Sequence, residues 1–268
     1  MKKVIKLLFA IAICFAMVGC GKSPTADYEK ALRCRKSVDF RDLEERGGSW
    51  FQNKKPFTGR VVAYDNRNYP IQAGSMRSGK LHGRLVGFFE NGKLKSEDNF
   101  KNGKHHGRQR VFFENGNLKS ETNWKGGERH GRHRDFFENG NLKGEVSFKN
   151  GKHHGKQRMF HENGNLESEA NFKNGKRYGI TKGFHENGML RFEANFKDGE
   201  LHGSRRVFFE NGSLSEEINW KDGKRHGITK EFHENGNLKG KANFKDGEID
   251  GEVKYFDENG NLILEQQE

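Results

Sequence analysis

Apolar residues make up only 31% of this 268-residue chain, and a single hydrophobic run stands out. That run, Leu7 to Val18, follows Lys2, Lys3 and Lys6 and has signal-peptide length, too short to span a bilayer comfortably. Cysteine is scarce as well, with Cys14, Cys20 and Cys34 the whole complement. There is no serine nucleophile elbow, no phosphate-binding glycine loop and no cysteine in a catalytic setting. The usual sequence routes to acyl-transfer, nucleotide and thiol chemistry are therefore closed.

Repetition fills the chain instead. A 24-residue unit recurs without insertion or deletion, marked by the turns Asn91-Gly92, Asn115-Gly116, Asn139-Gly140 and Asn163-Gly164 and continuing to Asn259-Gly260, each preceded by glutamate. A second set lies twelve residues out of phase, from Asn102-Gly103 to Asp246-Gly247. Asn-Gly and Asp-Gly accept the positive φ angles of two-residue type I′ hairpin turns, so each unit is predicted to hold two strands. A fixed period of this size marks a repeat array. Leucine recurs from Leu94 to Leu262, phenylalanine from Phe88 to Phe256, and an aromatic from Phe100 to Phe244. Alternation such as Leu118, Ser120, Thr122, Trp124 against Lys119, Glu121, Asn123 is that of a strand with one buried face. The expected fold class is all-β: an elongated, single-layer antiparallel sheet of tandem hairpins.

Reading both turns as two-residue loops fixes a register. Phe113 then meets Leu118, Val111 meets Ser120 and Arg110 meets Glu121, with Gly107 placed opposite Thr122. The same arithmetic pairs Arg134 with Glu145, Arg158 with Glu169, Lys182 with Glu193 and Arg206 with Glu217, while Lys230 opposite Lys241 breaks the charge rule. Opposite charges across a strand pair contribute up to about 1 kcal/mol each. Leu118, Trp124 and Phe113 share one face in this register and Phe112 lies on the charged face. A three-residue turn would carry Phe112 to the leucine side, and the pattern leaves both open. Either way the apolar face is thin, so the sheet must curl or pair with a partner to stay soluble.

Met17-Val18-Gly19-Cys20 closes the apolar run and resembles a bacterial lipobox, apart from Met17 where leucine is usual. The resemblance implies a signal peptide over residues 1–19, lipid on Cys20, and an exported lipoprotein in the cell envelope; Gly21 is compatible with the outer membrane. An ordinary secretory signal or an uncleaved anchor is the alternative, and all three export the chain. Cys34 would be the one thiol left, which excludes an internal disulfide and a cysteine-based zinc site. The formal charge of +12 falls to +9 once Lys2, Lys3 and Lys6 are removed. Export argues against nucleic acid, which leaves anionic lipid, glycan or an acidic protein as candidate anionic partners. Residues 20–38 read as a tether, 39–81 as a divergent N-terminal cap repeat, and 82–268 as the regular array.

The pattern running from Asn115-Gly116-Asn117-Leu118-Lys119-Ser120-Glu121 to His130-Gly131 resembles the MORN repeat in its bacterial variant. The entry segment, with Gly48-Ser49-Trp50-Phe51 and Pro56-Phe57-Thr58-Gly59, resembles the start of YwqK-type antitoxins. The resemblance covers residues 40 to 265 and implies a twisted sheet of successive hairpins; about seventeen strands at ~4.8 Å would make it about 80 Å long. It also implies a scaffold or partner-binding role. Combined with export, the antitoxin label implies an immunity-type protein that neutralises a toxin. Tyr178-Gly179, Asp250-Gly251 and Phe192 depart from the pattern.

The residues themselves offer little chemistry. His82, His106, His130, His154, His202 and His226 form a column, but neighbours two strands apart stand about 9.6 Å from one another, too far to share a zinc ion. His161, His185 and His233 replace phenylalanine in a packed column. Glutamates such as Glu121 and Glu145 recur in every unit, so no carboxylate pair is singled out for acid–base work. Neither catalysis, a metal nor a cofactor is expected. Arg108, Arg110, Arg132, Arg134, Lys156 and Arg158 form a dense basic strip that thins at Ile180, Ser204 and Ile228. That strip is the candidate surface for anionic lipid or glycan; a protein partner, a toxin or an envelope protein, is the leading expectation.

Overall fold

The computed structural model describes residues 37–267, so the apolar leader, Cys20 and Cys34 lie outside the described residues. From Gly59–Tyr64 to Leu262–Gln267 each strand pairs antiparallel with its sequence neighbours, giving one long sheet. Ser37–Asp39, which begins within the stretch expected to be tether, adds in parallel to Gly59–Tyr64. The sheet counts 22 strands because pieces such as Lys104–His105 and Gly107–Phe112 are separated by a bulge that Glu128–Phe136 spans unbroken. One short 3-10 turn, Phe40–Asp42, is the only helical element among the described residues.

The two sets of turns differ in kind. Asn102 and Gly103 have φ of 52° and 80°, and Lys101 faces Lys104, which is the expected two-residue turn. The Glu-Asn-Gly turns depart from that expectation, because in Asn91-Gly92, Asn115-Gly116, Asn139-Gly140 and Asn163-Gly164 only the glycine has positive φ. Gly116 N–H donates to the Phe113 carbonyl at 2.9 Å and Phe113 N–H to Asn117 at 2.8 Å, enclosing three residues. This is a type I turn closed by a left-handed glycine. The asparagine prefers it because its Oδ1 accepts from the backbone N–H two residues on, 2.8 Å for Asn115 to Asn117.

The longer turn pairs Phe112 with Leu118, and the register then shifts so that Val111 pairs with Ser120. Lys119 is the extra residue of a β-bulge. The added turn residue and the bulge cancel, so the charge pairs Arg110–Glu121, Arg134–Glu145, Arg158–Glu169, Lys182–Glu193 and Arg206–Glu217 all sit as the sequence indicates. Leu118, however, leaves the face of Trp124 and joins Phe112. Gly107 pairs with Trp124 rather than Thr122, as an unbroken ladder from Arg110 requires. A second bulge at His130-Gly131, where Gly131 has φ 83°, separates the pairs Thr122–His133 and Trp124–Arg129. Asn123 Nδ2 bridges that gap by donating to the Arg132 carbonyl at 3.0 Å.

Apolar packing concentrates at the N-terminal end. Leu43, Phe57, Val61 and Met76 form one cluster beneath the cap, and Val62, Ala73, Val86 and Phe88 form another on the opposite face. A three-stranded sheet of Glu44–Arg46, Ser49–Gln52 and Lys55–Pro56 covers this end, with Trp50 N–H donating to the Gly79 carbonyl at 2.8 Å. The first hairpin turn of the long sheet, between Gly59–Tyr64 and Pro70–Arg77, lacks glycine, and Asn68 takes its left-handed place at φ 63°.

Candidate functional site

Alternation along the strands sorts side chains onto two faces, and the two kinds of turn form two rims. The first face is ion-paired. Glu121 is 9% exposed and is approached by Arg108 at 3.5 Å and Arg134 at 3.3 Å. Glu145 lies between Arg132 at 3.8 Å and Arg158 at 3.4 Å, while Arg158 also reaches Glu169 at 3.0 Å. Arg84 and Arg110 both meet Glu97. Lys156, which donates to Glu169 at 2.8 Å, holds that carboxyl below its usual pKa, with Arg158 acting in the same direction. All six residues of the predicted basic strip, Arg108, Arg110, Arg132, Arg134, Lys156 and Arg158, therefore lie together on one face with glutamates between them. The strip is an ion-pair ladder rather than a field of free cations.

The second face carries a column whose members the sequence pattern did not connect. Phe100, His105, Trp124, Arg129, Phe148, His153 and Phe172 follow one another strand by strand. Ring centroids stand 4.3 Å apart for Phe100–His105, 4.9 Å for His105–Trp124 and 5.2 Å for His153–Phe172. Arg129 lies over the rings of Trp124 and Phe148, and Arg177 over Phe172 and Phe196. Burial lowers the pKa of His105, although Asp98 at 3.7 Å opposes it. Burial lowers that of His153 too, aided by the charge of Arg129 and by His133. Asp98, 6% exposed, is pushed up by burial despite a hydrogen bond from Gln109. The missed signal was available: His105, Arg129, His153, Arg177 and Arg225 recur at one position of the unit.

Three further histidines brace the backbone of the neighbouring unit. Nε2 of His161, His185 and His233 lies 3.3, 3.2 and 3.0 Å from the carbonyls of Phe184, Phe208 and Phe256 in the next unit. His202 Nδ1 lies 3.2 Å from Asp222 in the following turn. Thr122 Oγ1, His133 and Asp135 form one isolated chain, with 2.7 Å and 3.0 Å contacts, but Thr122 is only 4% exposed and so offers no accessible nucleophile. No cluster of three or more metal-ligating side chains occurs among the described residues. A shallow apolar cleft under the cap, lined by Phe40, Trp50, Met76, Leu81 and Leu85, carries no titratable group.

The rims hold further charge, outside the ladder of the first face. On the first rim each Glu-Asn-Gly turn presents a glutamate, eight in all from Glu90 to Glu258, with no cation inside the turns. Successive turns are tied together, as Asn115 and Asn117 both donate to the Glu138 carbonyl at 3.0 and 2.8 Å. On the second rim the eight two-residue turns and their flanking pairs, from Arg77–Lys80 to Lys245–Glu248, hold thirteen cations and six carboxylates. Lysine faces lysine directly at Lys101–Lys104, Lys149–Lys152, Lys173–Lys176 and Lys221–Lys224. Among the described residues the lysines in ion pairs are Lys156, Lys182, Lys230 and Lys254, all of which belong to the ion-paired face.

The model of the MORN repeat variant matches residues 81–102, 106–125, 129–150, 154–174, 177–198, 201–222, 225–246 and 249–267. No curated protein matches the chain. Among solved structures it is similar to a chain of the "Crystal Structure of TcdB2-TccC3-Cdc42", at 11% identity over 84% of this chain, with a TM-score of 0.20. The match spans 13% of that solved chain, and at such a score it carries no argument.

Proposed function

Since the chain belongs to the MORN repeat variant family, we propose that it is a non-enzymatic scaffold whose open repeat sheet holds a protein partner. Lipid on Cys20 would place it in the cell envelope, probed by globomycin-sensitive processing and by loss of anchoring in Cys20→Ser. The role is of immunity type: the sheet neutralises a toxin that acts in or enters through the envelope. One observation carries the binding reading. Eight units of one period present side chains at recurring positions on exposed faces and rims, and repeated open surfaces suit extended contact with a macromolecule. Deletion of the gene tests the toxin: it should be lethal only while a neighbouring toxin gene is intact. Viability of the deletion with that neighbour overexpressed refutes it.

A second reading is an envelope scaffold for anionic lipid or glycan. The unpaired lysines of the second rim favour it, whereas the predicted arginine strip does not, being matched by glutamates. Binding to anionic vesicles or lipopolysaccharide must then fall steeply with salt, and a flat response removes it.

A further inference from the structure

We infer that the two rims are complementary surfaces through which copies of this chain associate side by side, the lysine rim of one against the glutamate rim of the next. Three observations carry this. The rims have opposite charge. The Glu-Asn-Gly turns give one rim eight carboxylates, with Lys93 beside the first turn and Glu90 paired with Arg67 at 3.3 Å. The two-residue turns and their flanking pairs give the other thirteen cations against six carboxylates. They share one 24-residue period, so cationic turns and glutamate turns recur at the same spacing, about 9.6 Å along the sheet for two strands. A second copy matches that spacing automatically, and a flat anionic surface would engage one rim while leaving the other unexplained.

The third observation is an unrelieved cost. Like charges directly across a strand pair are destabilising. Lys101–Lys104, Lys149–Lys152 and Lys173–Lys176 nevertheless face each other across tight turns with no ion pair to a carboxylate among the described residues. The second lysine of each pair runs along the rim: a Cβ on Gly127 would stand 3.7 Å from the Lys104 side chain, and one on Gly199 the same distance from that of Lys176. The cations thus form a continuous strip rather than isolated points. They gather in the first five turns, with nine cations and one carboxylate, whereas the last three hold four and five. The glutamates run the full length. Because the contact joins unlike surfaces, it does not close on itself and builds an open lateral array.

Sedimentation velocity on the full chain tests this. At about 20 mM salt the wild type should sediment faster than a monomer, and at about 0.5 M salt, where the screening length is a few ångströms, it should return to monomer. One variant carries Lys101→Glu, Lys104→Glu, Lys149→Glu, Lys152→Glu, Lys173→Glu and Lys176→Glu. Another carries Glu114→Lys, Glu138→Lys, Glu162→Lys, Glu186→Lys and Glu234→Lys. Each alone should stay monomeric at both salts, and an equimolar mixture should associate again at low salt. Glutamine substitutions at the same sites, checked by circular dichroism, give a milder pair in which association is lost without recovery on mixing. A wild type that is monomeric at low salt overturns the inference. So does a folded charge-reversed variant that still associates, or a mixture that does not. A monomer that binds anionic vesicles through Lys101 to Lys176 also overturns it, assigning the rim to lipid.

Discussion

The ion-paired face and the aromatic face are made from alternate residues of the same strands, yet they hold the sheet by different means. On the first, Glu97, Glu121 and Glu145 each sit between cations from strands on either side, and Glu169 takes both Lys156 and Arg158 from one neighbouring strand. On the second, rings and flat cations stack in one column from Phe100 to Phe196. The difference teaches how a single layer remains folded with few apolar residues. One face turns charge into cross-strand pairing, and the other lends aromatic surface the cover of arginine and histidine.

Truncation should separate the two most clearly. Phe148→Ala, at a ring 7% exposed, should cost about 3 kcal/mol in urea unfolding, the size of a buried phenylalanine deletion. A loss near zero would mean that the column is decoration. Next in size is crowding on the aromatic face, where Gly183 pairs with Phe192 and a Cβ at Gly183 would collide with the ring. Gly183→Ala should destabilise by about 1–3 kcal/mol, and adding Phe192→Ser should recover most of it. Without that recovery the pair is not coupled.

On the ion-paired face, Glu121→Ala should cost about 1–3 kcal/mol by stranding Arg108 and Arg134, whereas Arg132→Ala, at an exposed side chain, should stay within about 0.5 kcal/mol. Equal effects would contradict the ladder. The faces should also differ in acid. His153 binds its proton less readily in the folded sheet than unfolded, so its stabilising contribution is present above the unfolded value near 6.5 and is lost as pH falls through the lowered one. Thermal melting between pH 7 and pH 5 should fall less in His153→Phe than in the wild type. An identical fall would clear His153 of the effect.

Much of this architecture was legible in the sequence, because a strict period multiplies every local clue. The hairpins, the all-β class and the Arg110–Glu121 register follow from spacing alone. The Glu-Asn-Gly turn did not, because Asn-Gly serves both a two-residue turn and the end of a three-residue one, and the compensating bulge at Lys119 hides the difference from any pairing further along. That same bulge moved Leu118 to the face of Phe112. The arginine strip was legible as charge, and half of its pairing too, as Arg110–Glu121, Arg134–Glu145 and Arg158–Glu169. The contacts of Arg108, Arg132 and Lys156 with those same glutamates were not, since they run diagonally across the ladder. The lysine rim went unnoticed for the opposite reason: lysine beside a turn looks ordinary until the register sets two of them face to face.

The hydrogen bonds from Asn115 and Asn117 to Glu138 reach only the next unit, and most of the ladder is likewise local. A deletion or duplication of 24 residues would rejoin equivalent partners at the seam. Length is therefore the property of this molecule that heredity can alter most freely, and with it the number of sites it presents.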